Sequence, residues 1–112
     1  MDTYVPWLTL NTYPDEILSQ PCEDLDEVTP EIHELAHDMT QTMWACNGVG
    51  LAAPQVGHSL RLFVMDCSED RTGLMYFITP VITETKYSSQ GTEGCLSFPG
   101  LSLQVSRAHE VT

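Results

Sequence analysis

Two short glycine-bearing stretches hold the residues with chemistry to offer. The later one is Glu93-Gly94-Cys95-Leu96-Ser97-Phe98-Pro99-Gly100, a cysteine between a glycine and an apolar residue, with a carboxylate two positions before it. A thiolate is both a nucleophile and a soft metal ligand. Glycine lets another backbone or a ligand come close. The earlier stretch is Gly48-Val49-Gly50-Leu51-Ala52-Ala53-Pro54-Gln55. Its glycines leave a flat backbone on which an extended peptide can add as a strand. The Gln55 amide can donate to a developing oxyanion.

Taken residue by residue, these signals leave alternatives open. Cys95 reads as a metal thiolate, as a nucleophile needing a base such as His58 or His109, or as a buried structural cysteine. A glycine-rich turn after a helix is often only a turn. His109-Glu110 opens like a HExxH zinc signature, but Val111-Thr112 follow and there is no second histidine. It also lies in strand pattern, where positions four apart do not share a helical face, so His109 reads as an ordinary strand residue.

The elements that must position these stretches are legible in outline. Residues 1 to 29 read as irregular, with a turn at Tyr13-Pro14-Asp15 and an apolar anchor at Ile17-Leu18. A helix follows, with Thr29 as N-cap, Pro30 at the first helical position and Glu31 at the positive helix end. Ile32, Leu35, Ala36, Met39 and Met43 keep helical spacing and define an apolar face. His33, His37 and Thr40 fall on or near the opposite face. His33 and His37 form an i, i+4 pair that reads as solvated rather than metal-binding. Asn47-Gly48 reads as a left-handed helix stop.

Beyond the first glycine stretch, a turn is expected at Val56-Gly57-His58-Ser59. Leu60 to Cys67 reads as a central strand and Leu74 to Ile78 as a second, with a break at Thr79-Pro80. Val81 to Ser89 reads as a third, more exposed strand. Gln90-Gly91-Thr92 and Pro99-Gly100 read as turns. Leu101, Leu103 and Val105 alternate with polar residues, predicting a half-buried strand running into Arg107. The pattern predicts an α+β fold: one N-terminal helix packed on a mainly antiparallel or mixed sheet.

Composition narrows the function classes. The chain has 112 residues, room for one domain. Four basic against sixteen acidic residues give a net charge of -12, which argues against nucleic acid and anionic membranes as partners. No apolar run is long enough to span a bilayer, and Met1-Asp2-Thr3-Tyr4 lacks the pattern of a signal peptide. A cytoplasmic location is the default expectation. Cys22, Cys46 and Cys67 read as small apolar filler, with no sign of a disulfide framework.

Together the two stretches resemble the first and second motifs of peptide deformylase. The resemblance extends to Tyr13-Pro14-Asp15 and to the helix before Gly48, and covers nearly the whole chain. It implies a hydrolase that removes the formyl group from N-formylmethionine on nascent peptides, with the ribosome as an indirect partner. It implies Fe(II), often replaced by Zn(II), with Cys95 as a metal ligand. Gln55 and the backbone N–H of Leu96 would bind the carbonyl oxygen, Gly50 and Gly94 the substrate backbone, and Val49 would line the methionine pocket. The family's third motif, a helical HExxH with two histidine ligands and a glutamate base, has no counterpart within residues 1–112, and no arginine follows between Phe98 and Gln104. The expectation is a single domain over 1–112, lacking the C-terminal catalytic helix, with weak metal binding and little turnover. The alternative reading is a non-catalytic peptide-binding remnant of the same fold.

Overall fold

The computed structural model describes residues 8–112; the Met1–Tyr4 start lies outside the described residues. One helix, α1 (Pro30–Ala45), carries the core. The Thr29 hydroxyl accepts from the Ile32 N–H at 3.3 Å, which satisfies one of the orphan donors of the first turn. At the far end Asn47 adopts φ 57°, and the Gly48 and Asn47 N–H groups donate to Met43 O and Trp44 O. This paired closure stops the helix and turns the chain directly into strand.

The strands are β1 (Gly50–Ala52), β2 (Leu62–Met65), β3 (Met75–Ile78), β4 (Thr85–Lys86), β5 (Ser89–Cys95), β6 (Phe98–Arg107) and β7 (Glu110–Val111). They form three antiparallel groups: β1-β2-β3, the pair β4-β7 and the hairpin β5-β6. Among the described residues the parallel element is one isolated bridge, Glu23 to Leu60. The α+β expectation therefore holds, with the antiparallel alternative realised.

Ala36, Met39 and Met43 of α1 pack against Leu51, Leu62 and Val64, with Ala53 and Val56 closing the core. Side chains alternate across a strand, so Leu62 and Val64 face the helix while Phe63 turns away. Phe63 stacks instead on its cross-strand partner Phe77, ring centroids 4.6 Å apart. Thr40 departs from expectation: it is buried, not on the polar face. Its hydroxyl donates to Ala36 O at 2.8 Å, so burial leaves no unmet donor.

Several boundaries differ from the sequence pattern. The expected strand over 81–89 is broken: Thr85–Lys86 forms β4 and Ser89 opens β5, with Tyr87 at φ 61°, outside strand geometry, between them. Gln90-Gly91-Thr92 is not a turn; it lies within β5, with Gly91 opposite Val105. The hairpin turns at Leu96-Ser97, and Pro99-Gly100, within the span of β6, leaves the pairing as a local excursion with Gly100 at φ 79°. β6 is more exposed than the alternation predicts: Leu101 is 46% and Leu103 56% exposed, while Val105 is half-buried. His109 sits in the link between β6 and β7, not in a strand. Cys22 and Cys46 are half-buried, Cys67 and Cys95 are exposed, and all four thiols are free. No described helix is long and apolar enough to cross a membrane.

Candidate active site

The closure of α1 at Asn47-Gly48 delivers β1 as an edge strand. One side of Gly50–Ala52 pairs with β2, Gly50 opposite Met65, and no described strand pairs with the other. Gly50 is exposed, and a Cβ there would find nothing nearer than Val64 O at 3.8 Å. Packing does not demand glycine at this point. What glycine supplies is uncovered backbone beside an open strand edge.

β1 runs into a single 3-10 turn, Ala53–Val56, which carries Gln55. The Gln55 side chain is held at both ends. Its Oε1 accepts from the Ala52 N–H at 3.0 Å, and its Nε2 donates to Ser97 Oγ at 3.1 Å. The same nitrogen lies 3.7 Å from Cys95 Sγ. Residues forty positions apart are thus brought together.

Cys95 ends β5 next to a register shift. Gly94 opposes Ser102, while Cys95 opposes Phe98, so Pro99, Gly100 and Leu101 loop out of the ladder. Gly100 takes φ 79° within that loop, a conformation that glycine adopts without strain. Such an irregularity bends the strand and re-aims the neighbouring side chains. At Gly94 an added Cβ would lie 3.3 Å from Leu101 O, a backbone atom, so the loop and Gly94 are mutually fitted.

Between the 47–49 link that leads into β1 and the hairpin lies a cleft of ≈ 480 Å³ lined by Val49, Gly94, Cys95, Leu96, Phe98 and Leu101, among others. Val49 is 62% exposed on its rim. An adjoining hollow of ≈ 240 Å³ shares Cys95 and extends over Leu103, Val105 and Arg107. The cleft therefore gathers Val49, Gly94, Cys95 and Leu96 of the expected site residues. Gly50 and Gln55 adjoin it through β1 and through the Gln55 contact to Cys95.

Two residues of this region escaped the sequence reading. Ser97 is almost wholly buried, donates to Asn11 O at 2.7 Å and receives Gln55. Arg107 grips Glu93 with both arms of its guanidinium, at 2.7 and 2.8 Å. That fork holds the Glu93 carboxyl below the usual carboxylate range and raises Arg107. A hairpin pairing of 89–95 with 98–107 would have placed Glu93 and Arg107 on one face. No periodicity marks Ser97.

Cys95 fits a soft or borderline metal by donor type and exposure. Among the described residues, however, no three His, Cys, Asp or Glu side chains are grouped to hold one ion. His33 and His37 remain exposed on α1, and among the described residues no histidine hydrogen-bonds to Cys95. The thiolate nucleophile reading thus lacks a hydrogen-bonded histidine base among the described residues.

A family model described as polypeptide deformylase matches residues 7–112. Peptide deformylase 1 of Bacillus cereus is 46% identical over 101 residues, covering 90% of this chain and 64% of that protein. Peptide deformylase of Thermodesulfovibrio yellowstonii is 40% identical over 106 residues, covering 93% and 64%. Among solved structures, a Synechococcus elongatus peptide deformylase in complex with actinonin superposes with a TM-score of 0.90 at 36% identity. It covers 99% of this chain and 60% of that one. A Legionella pneumophila peptide deformylase gives 0.89 at 36% identity, covering 93% and 62%. The chain spans 64% of the length of these curated relatives. With the matched family model running from residue 7 to residue 112, the chain belongs to the polypeptide deformylase family.

Proposed function

We propose that this chain forms the substrate groove of a deformylase, the metal-dependent hydrolase that removes formyl from N-formylmethionyl nascent peptides in the cytoplasm. The observation that carries the reading is the Gln55 amide, 3.7 Å from Cys95 Sγ at the junction of the two motifs. An extended peptide would add to the open edge of β1 at Gly50, with Gly94 on its far side. The methionine side chain would lie against Val49 in the cleft. The formyl oxygen would be received by the Gln55 amide and the Leu96 N–H, donors aimed where negative charge develops. Preorganised donors of this kind typically contribute a factor of about 10²–10³ each in rate.

The metal of such an enzyme, Fe(II) or Zn(II), wants three protein ligands and an open position. Cys95 supplies one of these, and the described residues do not complete the set. The groove is therefore the part of the mechanism that this chain's own residues account for: binding, orienting and polarising the formyl group. A second reading, favoured by the open edge of β1, is a non-catalytic peptide-binding module that keeps the groove.

The test is turnover of a formyl-Met-Ala peptide with added Fe(II), Co(II) or Zn(II), alongside metal content and direct peptide binding. Turnover abolished by Cys95→Ala would assign the whole reaction to this chain. Peptide binding that ignores chelators, without turnover, supports the second reading. Absence of both binding and turnover overturns both.

A further inference from the structure

We propose that Ser97 is the positioning residue for the Gln55 amide, tying it to the N-terminal segment Asn11–Tyr13. The inference rests on the groove reading for its purpose, but its geometry stands alone. A hydroxyl has one proton and two lone pairs. Asn11 O, at 2.7 Å, is an acceptor and takes that proton. Toward Gln55, at 3.1 Å, Ser97 can therefore only accept. The Gln55 atom facing it must be the nitrogen. The opposite end gives the same answer, because the Ala52 N–H at 3.0 Å requires the Gln55 oxygen.

Both ends of the amide are thus determined by groups that cannot exchange roles. The terminal torsion of a glutamine side chain is broad and roughly two-fold, so its amide can otherwise turn end for end. Here a flip would set the Gln55 oxygen against the Ser97 lone pairs and its nitrogen against the Ala52 N–H. The locked orientation leaves the second Nε2 proton to point toward Cys95 Sγ, 3.7 Å away. Donating to Asn11 O also polarises the Ser97 hydroxyl and makes it a better acceptor.

Ser97 is 1% exposed, so water does not replace it. The segment it reaches is itself laced to both motifs. The Asn11 N–H donates to Gln55 O at 2.7 Å and the Tyr13 N–H to Ser97 O at 2.8 Å. The Tyr13 ring stacks on Phe98 with centroids 5.0 Å apart. Residues 11–13 therefore clamp the turn bearing Gln55 to the turn following Cys95, and Ser97 Oγ is where the clamp meets the functional side chain.

The experiment is side-chain amide NMR on the full ¹⁵N-labelled chain, without metal or peptide. In the unsubstituted chain the Gln55 Nε2 protons are expected to be protected from solvent exchange. Exchange at the rate of a free glutamine amide would overturn the assignment with no variant needed. In Ser97→Ala, Gln55 Nε2 exchange should accelerate by about tenfold, the scale of one net hydrogen bond, with the α1 backbone amides unchanged. Ser97→Cys, close in size with weaker hydrogen bonding, should fall between the two. If Ser97→Ala instead loosens only the Asn11 and Tyr13 amides and leaves Gln55 protected, Ser97 is a mere staple and the proposal fails. Because no substrate is used, failure of the deformylase reading would appear separately, as absent peptide binding with Gln55 still locked.

Discussion

Gly48 lies so close to Leu96 that a Cβ placed on it would sit 2.7 Å from Leu96 Cδ1 and 3.3 Å from Leu96 Cγ. The first motif thus docks on the second through the missing side chain of a glycine whose backbone also closes α1. Gly48→Ala should displace the Leu96 side chain, whose end is flexible, at a cost of about 1–2 kcal/mol. Urea midpoints would measure it, and peptide affinity should fall with it. An unchanged midpoint would mean that the two motifs are not in this contact.

Gln55→Leu removes three contacts at once and leaves the Ala52 N–H without its acceptor. The expected destabilisation is about 1–3 kcal/mol, larger than for an exposed glutamine. Gln55→Glu should behave differently: its oxygens still serve the Ala52 N–H, but none can donate to Ser97 or toward Cys95. Thermal melts of the two variants side by side separate the cap from the amide.

The Glu93–Arg107 fork makes a pH prediction. Glu93 has a lowered pKa, caused first by the hydrogen bonds from Arg107. A depressed carboxyl contributes stability above its unfolded pKa and loses it as pH falls through the folded value. The hairpin β5-β6 should therefore loosen in acid, below the ordinary range of glutamate. In Arg107→Gln the Glu93 carboxyl should titrate higher, which carbon-detected NMR would show. An unmoved titration would remove the fork as its cause.

Met39 and Met43 are fully buried between α1 and the β1-β2 pair. Truncating Met39 to alanine should cost about 2–5 kcal/mol. The same change at Met75, 51% exposed, should cost well under 1 kcal/mol, as is usual for surface sites. Denaturant unfolding of both variants tests where the core lies.

With no group of three donors among the described residues, Cys95 should bind Zn(II) or Co(II) weakly, and Cys95→Ala should abolish what thiolate-to-cobalt absorption there is. Chelators should leave Met-Ala peptide affinity unchanged if the groove alone holds the peptide. A tight stoichiometric metal complex of the purified chain would contradict this.

Local signals were enough to write down α1, its Thr29 cap, its Asn47-Gly48 stop and the β2 and β3 strands, because caps and apolar periodicity act within a few residues. The two motifs were also visible, as residue types at short spacing. The hairpin departs from the sequence pattern at Gln90-Gly91-Thr92. There pairing with β6 overrides the turn signal, whereas Pro99-Gly100 does leave the ladder, as an excursion within β6 with Gly100 at φ 79°. Thr40 looked polar and proved buried, since its own helix satisfies its hydroxyl.

The sequence by itself determined which residues could do chemistry and what family they resemble. Only the tertiary structure decided that Cys95 is exposed, that Gln55 reaches it, and that Ser97 holds Gln55 from 42 positions away. Those relations depend on hydrogen-bond direction and on backbone approach between segments far apart in the chain, and neither leaves a period or a motif to be read.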